Sequence, residues 1–257
     1  MSYQQIAVTR EGAIATVEIR KGPNNHVNTP MIGEIADALE SFDRDTEIRT
    51  VVLCSDGKHF SAGADLVARD ASGTEITAGR THLYKEAIRL VRAKKPIVAA
   101  VQGAAVGAGL GLALVADFRV TCTEARFSAN FTRLGFHPGF GLTATLPRLV
   151  GQQTATLMMY TGRRVPGDEA VRLGLADVLV PLDEVRAAAT ALATEIAQSA
   201  PLSILATRET MRRGLADAFQ QATEREFEEQ DWLRKTKDYA EGVRAMAERR
   251  LPNFISD

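Results

Sequence analysis

Residues 97–116 form a run of twenty in which Gln102 is the only polar side chain, and no other feature constrains the fold of this chain so tightly. A run of that length can cross a bilayer or lie at the centre of a folded core. Ala and Gly dominate it, so its bulk hydrophobicity is weak, and patterned soluble segments flank it. It is also divided in two. Pro96 precedes Ile97–Val101, a glycine-rich turn follows, and a second apolar stretch ends near Ala116. Buried strand, tight turn and buried helix give this pattern in α/β cores, where neither element has a solvent face to make polar. The run is therefore read as core, with no membrane partner.

The surrounding segments fit that core. Ile6/Val8 and Ile14/Val17/Ile19 flank a Glu11-Gly12 turn, which predicts an N-terminal hairpin. Thr29-Pro30 predicts a helix start, with Thr29 as cap and Ile32, Ile35, Ala36, Leu39 and Phe42 following at spacings of three and four. Val51–Cys54 reads as a buried strand, residues 75–93 as a helix and Phe118–Thr121 as a third strand. Strands alternating with helices argue for parallel pairing and an α/β core over residues 1–200. From Pro201 to Asp257 the pattern is helical throughout. Ile204, Leu205, Met211, Leu215, Phe219, Phe227, Leu233, Val243 and Met246 recur there among charges, as in amphipathic helices that pack on a core or on another subunit.

Composition sets the outer bounds. With 45% hydrophobic and 25% charged residues, the 257-residue chain carries enough apolar material for a sizeable core without staples. Its 31 Lys+Arg against 32 Asp+Glu give a net charge of −1, which provides no electrostatic ground for a nucleic-acid partner. Cys54 and Cys122 each sit in an apolar stretch and form no C-x-x-C pair, so both read as core residues in a reducing, cytoplasmic compartment. Residues 1–5 show no basic stretch leading into an apolar one, and the reading expects neither a secretory signal nor a transit peptide.

Two segments could carry chemistry: His59–Leu66 after the first buried strand, and Gln102–Gly111 after the second. Both follow the carboxyl ends of strands, where open α/β sheets bind ligands. The second also leads into a helix, whose first N–H groups lack internal acceptors and favour an oxyanion. Other motifs fail on their residues. Gly107-Ala108-Gly109-Leu110-Gly111-Leu112 puts Leu at the third glycine of a dinucleotide fingerprint, and no Gly-Lys-Ser/Thr of a P-loop is present. His59-Phe60-Ser61-Ala62-Gly63 lacks the first glycine of a nucleophile elbow, which leaves Ser61 as a turn residue. The four histidines, His26, His59, His82 and His137, have no companions at metal-ligand spacing, so no metal is expected. Close packing alone remains an alternative use for both glycine-rich turns.

These turns belong to a longer set of motifs: Gly57–Leu66, Lys95–Gly103, Gly107-Ala108-Gly109 with Ala116-Asp117, Ala125-Arg126-Phe127, Leu146–Gly151, Thr161–Arg164, Ala170–Leu175 and Glu241-Gly242. In that order they resemble the crotonase superfamily, which includes the enoyl-CoA hydratases and isomerases, over nearly the whole chain. The resemblance implies a crotonase (ClpP-like) α/β spiral of ββα turns with C-terminal helices that mediate homo-trimers, often paired into hexamers. It implies an acyl-CoA thioester as substrate, with coenzyme A arriving as part of that substrate and no permanently bound cofactor. The thioester oxygen would lie between the N–H groups of Ala64 and Ala108. Ala62, Gly63, Ala64, Asp65, Leu66 and Gly107 would hold the coenzyme A thioester, with the stretch 62–66 around its adenine end.

The departures from the pattern bear on the reaction. Hydratases of this family add water with two glutamates, and Gly111 and Phe131 stand at the matching positions. Gly139 stands where some isomerases carry an aspartate and a dehalogenase branch its nucleophilic carboxylate. None of the three can move a proton. His137, two residues from Gly139, is then the best candidate acid/base, because histidine ordinarily titrates near neutral pH. His82, Tyr84 and Glu86 lie near the same expected pocket, with His82 and Glu86 spaced to pair on one helix face. Asp65 and Asp117 are read as fixing loops through backbone hydrogen bonds. The function implied is an acyl-CoA-processing enzyme of the hydratase/isomerase type without two-glutamate hydration; the alternative is a non-catalytic acyl-CoA-binding protein or subunit.

Overall fold

A computed structural model of the chain describes residues 2–64 and 82–257. The chain opens with the expected hairpin, β1 (Ile6–Glu11) and β2 (Ile14–Ile19), antiparallel with Val8 opposite Val17. Helix α1 (Thr29–Arg44) follows, then β3 (Thr50–Ser55), α2 (Leu83–Arg92) and β4 (Ile97–Val101). The cap of α1 is one residue earlier than the sequence suggests: the Asn28 side chain accepts the Met31 N–H at 3.0 Å, while Thr29 is buried as the first helical residue. Thr and Asn both cap well, and burial of Thr29 decides between them. The described part of the helix predicted over 75–93 begins at Leu83, and residues 75–81 lie outside the described residues.

The twenty-residue apolar run divides into β4, the short strand β5 (Ala104–Val106) and α3 (Ala108–Val115). Every residue of α3 is buried, which is why the helix is apolar on all sides. No helix among the described residues is long and apolar enough to cross a membrane. The chain continues through β6 (Phe118–Thr121) and β7 (Arg126–Ser128), then a 3-10 turn over Asn130–Leu134. Beyond it come α4 (Leu142–Val150), α5 (Gln152–Thr161), β8 (Val165–Pro166), α6 (Gly167–Arg172), β9 (Val178–Leu179) and α7 (Val185–Ala197).

The main sheet runs β1-β2-β3-β4-β6-β9, parallel throughout except for the hairpin, and a smaller sheet runs β5-β7-β8. β3 and β4 are buried along their whole length. Cys54 and Cys122 are both buried, and desolvation pushes the Cys54 thiol up to about 11, so it packs as a small apolar group.

After residue 200 the described structure is helical as far as Ala247, in α8 (Pro201–Met211), α9 (Leu215–Leu233) and α10 (Lys237–Ala247); residues 248–257, expected to continue the helical pattern, form no helix. Asp117 ties this region to the core. Its carboxylate accepts the Ile97 N–H at 2.8 Å and pairs with Arg208 and Arg212, each at 2.9 Å. α9 packs against α2 and α4, and α10 lies on the 3-10 turn. No residue of α8 is buried, and Leu202 and Met211 are 81% and 69% exposed.

Candidate active site

The two glycine-rich turns meet because three stretches of backbone are laced side by side. Phe60 and Ser61 donate N–H bonds to the Gln102 and Ala104 carbonyls at 2.8 and 2.9 Å, and Val106 N–H returns to Ser61 at 3.1 Å. On the other side, Ala62 N–H reaches Asn24 at 3.0 Å and Val27 N–H reaches the Gly63 carbonyl at 2.8 Å. Gly63 turns through φ +107°, which a side chain would resist. Gly109 lies so close to Ser61 that an added Cβ would be 2.5 Å from the Ser61 carbonyl oxygen. Substituting either glycine would push the two turns apart.

This lacing surrounds a cavity of about 270 Å³ lined by His26, Ala62, Gly63, Ala64, Val106, Gly107, Ala108, Asn130, Phe131, Leu134, Phe136 and Met246. Of the residues singled out in the sequence, it brings together Ala62, Gly63, Ala64, Gly107, Ala108 and Phe131. Asp65 and Leu66 lie outside the described residues. Ala108 is the first residue of α3, so its N–H has no acceptor within the helix and sits at the positive end of the helix dipole. A wall of Phe131, Leu134, Phe136 and Met246 faces the polar backbone edge, which suits an apolar chain attached to a polarised carbonyl.

The positions without acids are filled from elsewhere. A Cβ on Gly111 would lie 2.6 Å from the Phe140 ring, and a Cβ on Gly139 would collide with the Tyr84 hydroxyl and the Gln230 amide. Phe140 itself adopts a left-handed backbone at φ +61°, uncommon for a bulky residue. The turn behind it is held by Glu226 of α9, whose carboxylate accepts the Gly141 N–H at 2.7 Å, the Thr143 N–H at 3.0 Å and the Thr143 hydroxyl at 2.6 Å. Burial pushes Glu226 up to about 7, against the opposing pull of those three donors. The Tyr84 hydroxyl donates to Gln230 at 2.9 Å, and burial beside Glu226 raises its phenol well above the ordinary range.

His137 is not among the lining residues of this cavity. It lines a second one of about 470 Å³, with Thr132, Phe136, Pro138, Met159 and Leu233, and among the described residues Phe136 alone is common to both. Its Nδ1 lies 2.8 Å from the Pro138 carbonyl oxygen. The other histidines separate by role. His59 Nδ1 accepts the Ala104 N–H at 3.1 Å, with burial lowering its pKa, and His82 caps α2 by accepting the Tyr84 N–H at 3.2 Å. Glu86 holds Arg89 at 2.6 Å. His26, counted in the sequence only as an isolated histidine, stands in the first cavity with Nδ1 3.4 Å from the Gly63 carbonyl oxygen. The asparagines around it, Asn24, Asn25 and Asn28, are the one sequence signal of a specially built turn that could have pointed to this loop. Nothing in the sequence points to Met246 and Asn130, because folding alone carries α10 and the 3-10 turn to the cavity.

Fold and site together define an α/β protein with a backbone-edged, apolar-walled cavity at the carboxyl ends of β3 and β4. Residues 9–257 match the enoyl-CoA hydratase/isomerase family model. The chain is 32% identical to the crotonyl-CoA hydratase of Syntrophomonas wolfei over the full length of both proteins. It is 36% identical to a putative enoyl-CoA hydratase of Thermus thermophilus, covering 90% of this chain and 92% of that one. Its fold matches the crystal structure of carnitinyl-CoA hydratase from Mycobacterium avium with a TM-score of 0.88 at 32% identity, covering all of both chains. The chain belongs to the enoyl-CoA hydratase/isomerase family and has the crotonase fold.

Proposed function

We propose that this protein is an acyl-CoA-processing enzyme of the hydratase/isomerase type that holds the thioester carbonyl oxygen between the N–H groups of Ala64 and Ala108. The observation that carries this reading is the shared cavity. Ala64 and Ala108 come from turns 44 residues apart in sequence and line one small chamber with an apolar wall. Removing a proton from the carbon next to a thioester places charge on the carbonyl oxygen, and two fixed donors stabilise that charge without reorganising. Ala62, Gly63 and Gly107 complete the backbone edge along which the thioester lies. The exposed apolar side chains of α8 support homo-oligomerisation through the C-terminal helices.

Water addition by two carboxylates is outside this reading. Gly111 and Phe131 carry no acid, and the Phe140 ring takes the space a side chain at 111 would need. The same packing favours one rival reading, an acyl-CoA-binding protein without chemistry. A panel of enoyl- and aryl-CoA thioesters, crotonyl-CoA among them, separates the two when binding and conversion are measured together. The proposed enzyme binds and converts at least one member. Binding across the panel with no conversion contradicts it and leaves the rival standing.

A further inference from the structure

Among the described residues lining the Ala64/Ala108 cavity, His26 is the only ionisable side chain. Asn130 and Met246, the other side chains there with a polar or sulfur atom, do not exchange a proton at ordinary pH. The loop that presents His26 is held firmly. Asn25 is fully buried in a left-handed conformation at φ +50°, and its amide donates to the Asp56 and His59 carbonyls at 2.8 Å each while accepting the Lys21 N–H at 3.0 Å. On the other side, Val27 is laced to Gly63 and forms a parallel bridge with Ala64. His26 is thus held between two anchored residues, with Nδ1 3.4 Å from the Gly63 carbonyl oxygen, in the cavity that Ala64 and Ala108 line.

Its contact also selects a tautomer. A carbonyl oxygen only accepts, so Nδ1 engages Gly63 as N–H, and the neutral ring carries its lone pair on Nε2. We propose that His26 is the acid–base residue of this site, with Nε2 taking a proton from the carbon next to the bound thioester. This inference rests on the acyl-CoA reading above. In the step, the α C–H bond breaks and its proton passes to Nε2. The bonding pair becomes the enolate, whose charge lies on the oxygen between Ala64 and Ala108. Return of the proton from the imidazolium to the α carbon restores the substrate with exchange. Return to the γ carbon of an unsaturated acyl chain moves the double bond. No co-reactant is consumed, and Gly63, which accepts from both Val27 and His26, is the carbonyl end of the peptide whose N–H belongs to Ala64.

The test is exchange of the α protons of butyryl-CoA in D2O, followed by mass spectrometry alongside a measurement of butyryl-CoA binding. His26→Gln keeps a donor for the Gly63 carbonyl and removes the base. We expect exchange by the native protein, and a loss of about 100-fold or more in His26→Gln with binding within about threefold, the range for removing a general base. His26→Ala serves as a second variant, and circular dichroism checks that both fold. Undiminished exchange in His26→Gln overturns the assignment. So does absence of exchange in the native protein while butyryl-CoA binds. Failure of the native protein to bind any acyl-CoA is a distinct result, and it overturns the acyl-CoA reading itself.

Discussion

The two cavities on either side of Phe136 each contain a histidine, and they are built in different ways. In the smaller one, most polar groups are backbone N–H and C=O of three backbone stretches laced side by side, and His26 lies on one of those stretches. In the larger one, His137 sits in a turn with Nδ1 directed to the carbonyl of the next residue, and the walls are mainly helical side chains. A histidine near the family's acid position is therefore a weaker guide than a histidine in the cavity that holds the proposed oxygen-binding N–H groups. Proximity in sequence to Gly139 singled out His137; the backbone lacing of residues 24–27 with 61–64 brings His26 to the cavity of Ala64 and Ala108.

The largest expected effect separates the two cavities directly. Ala108→Pro removes one donor from the smaller cavity while leaving the helix foldable, since proline suits the first helical position. Turnover should fall by the equivalent of about 2.7–4 kcal/mol, roughly 100- to 1000-fold, measured as kcat/KM on whichever thioester the panel identifies. Turnover within a few-fold of the native value would show that the oxygen is held elsewhere.

A smaller effect concerns the packing behind Phe140. The pKa of Glu226 is raised in the folded state to about 7 from an ordinary 4.5, so the folded protein binds this proton more tightly than the unfolded chain. Its contribution to stability is complete below pH 4.5 and is lost as pH rises through 7. Glu226→Gln cannot give up this proton, and its amide turns a second donor toward Gly141 or Thr143, at a cost of about 1–3 kcal/mol. Urea unfolding at pH 5 and pH 7.5 should therefore show the native protein's advantage over the variant shrinking at the higher pH. A constant or growing advantage would mean that the carboxylate is ionised in the fold.

The smallest effect is expected at the other histidine. His137→Ala should leave kcat/KM within about twofold, since a substitution away from the chemistry ordinarily changes free energy by about 0.5 kcal/mol or less. A loss as large as that of Ala108→Pro would join the two cavities into one site.

Much of this architecture is legible in the sequence, because local forces fix it. The hairpin follows from alternation around Glu11-Gly12, and the apolar run at 97–116 reads as strand, turn and buried helix once its glycines are weighed; the short strand β5 within that turn is not legible, because it forms only by pairing with β7. The Ala64 and Ala108 turns are legible too, as glycine-bearing exits from buried strands. What is not legible depends on distant packing. Asn28 displaces Thr29 as cap because the core buries Thr29. Phe140 fills the space beside Gly111 only because Glu226, 85 residues away from Gly141, holds the intervening turn. His26 gains its place from backbone contacts that span 37 residues, and Met246 reaches the same cavity from the last helix.

The central claim is most directly tested by a crystal structure of the protein with a bound acyl-CoA thioester. The account predicts the carbonyl oxygen about 2.7–3.2 Å from the amide nitrogens of both Ala64 and Ala108, the range of an N–H···O bond. It also predicts His26, and not His137, as the imidazole nearest the carbon next to the carbonyl. A carbonyl oxygen held by neither amide, or a thioester seated in the cavity with His137, would contradict it.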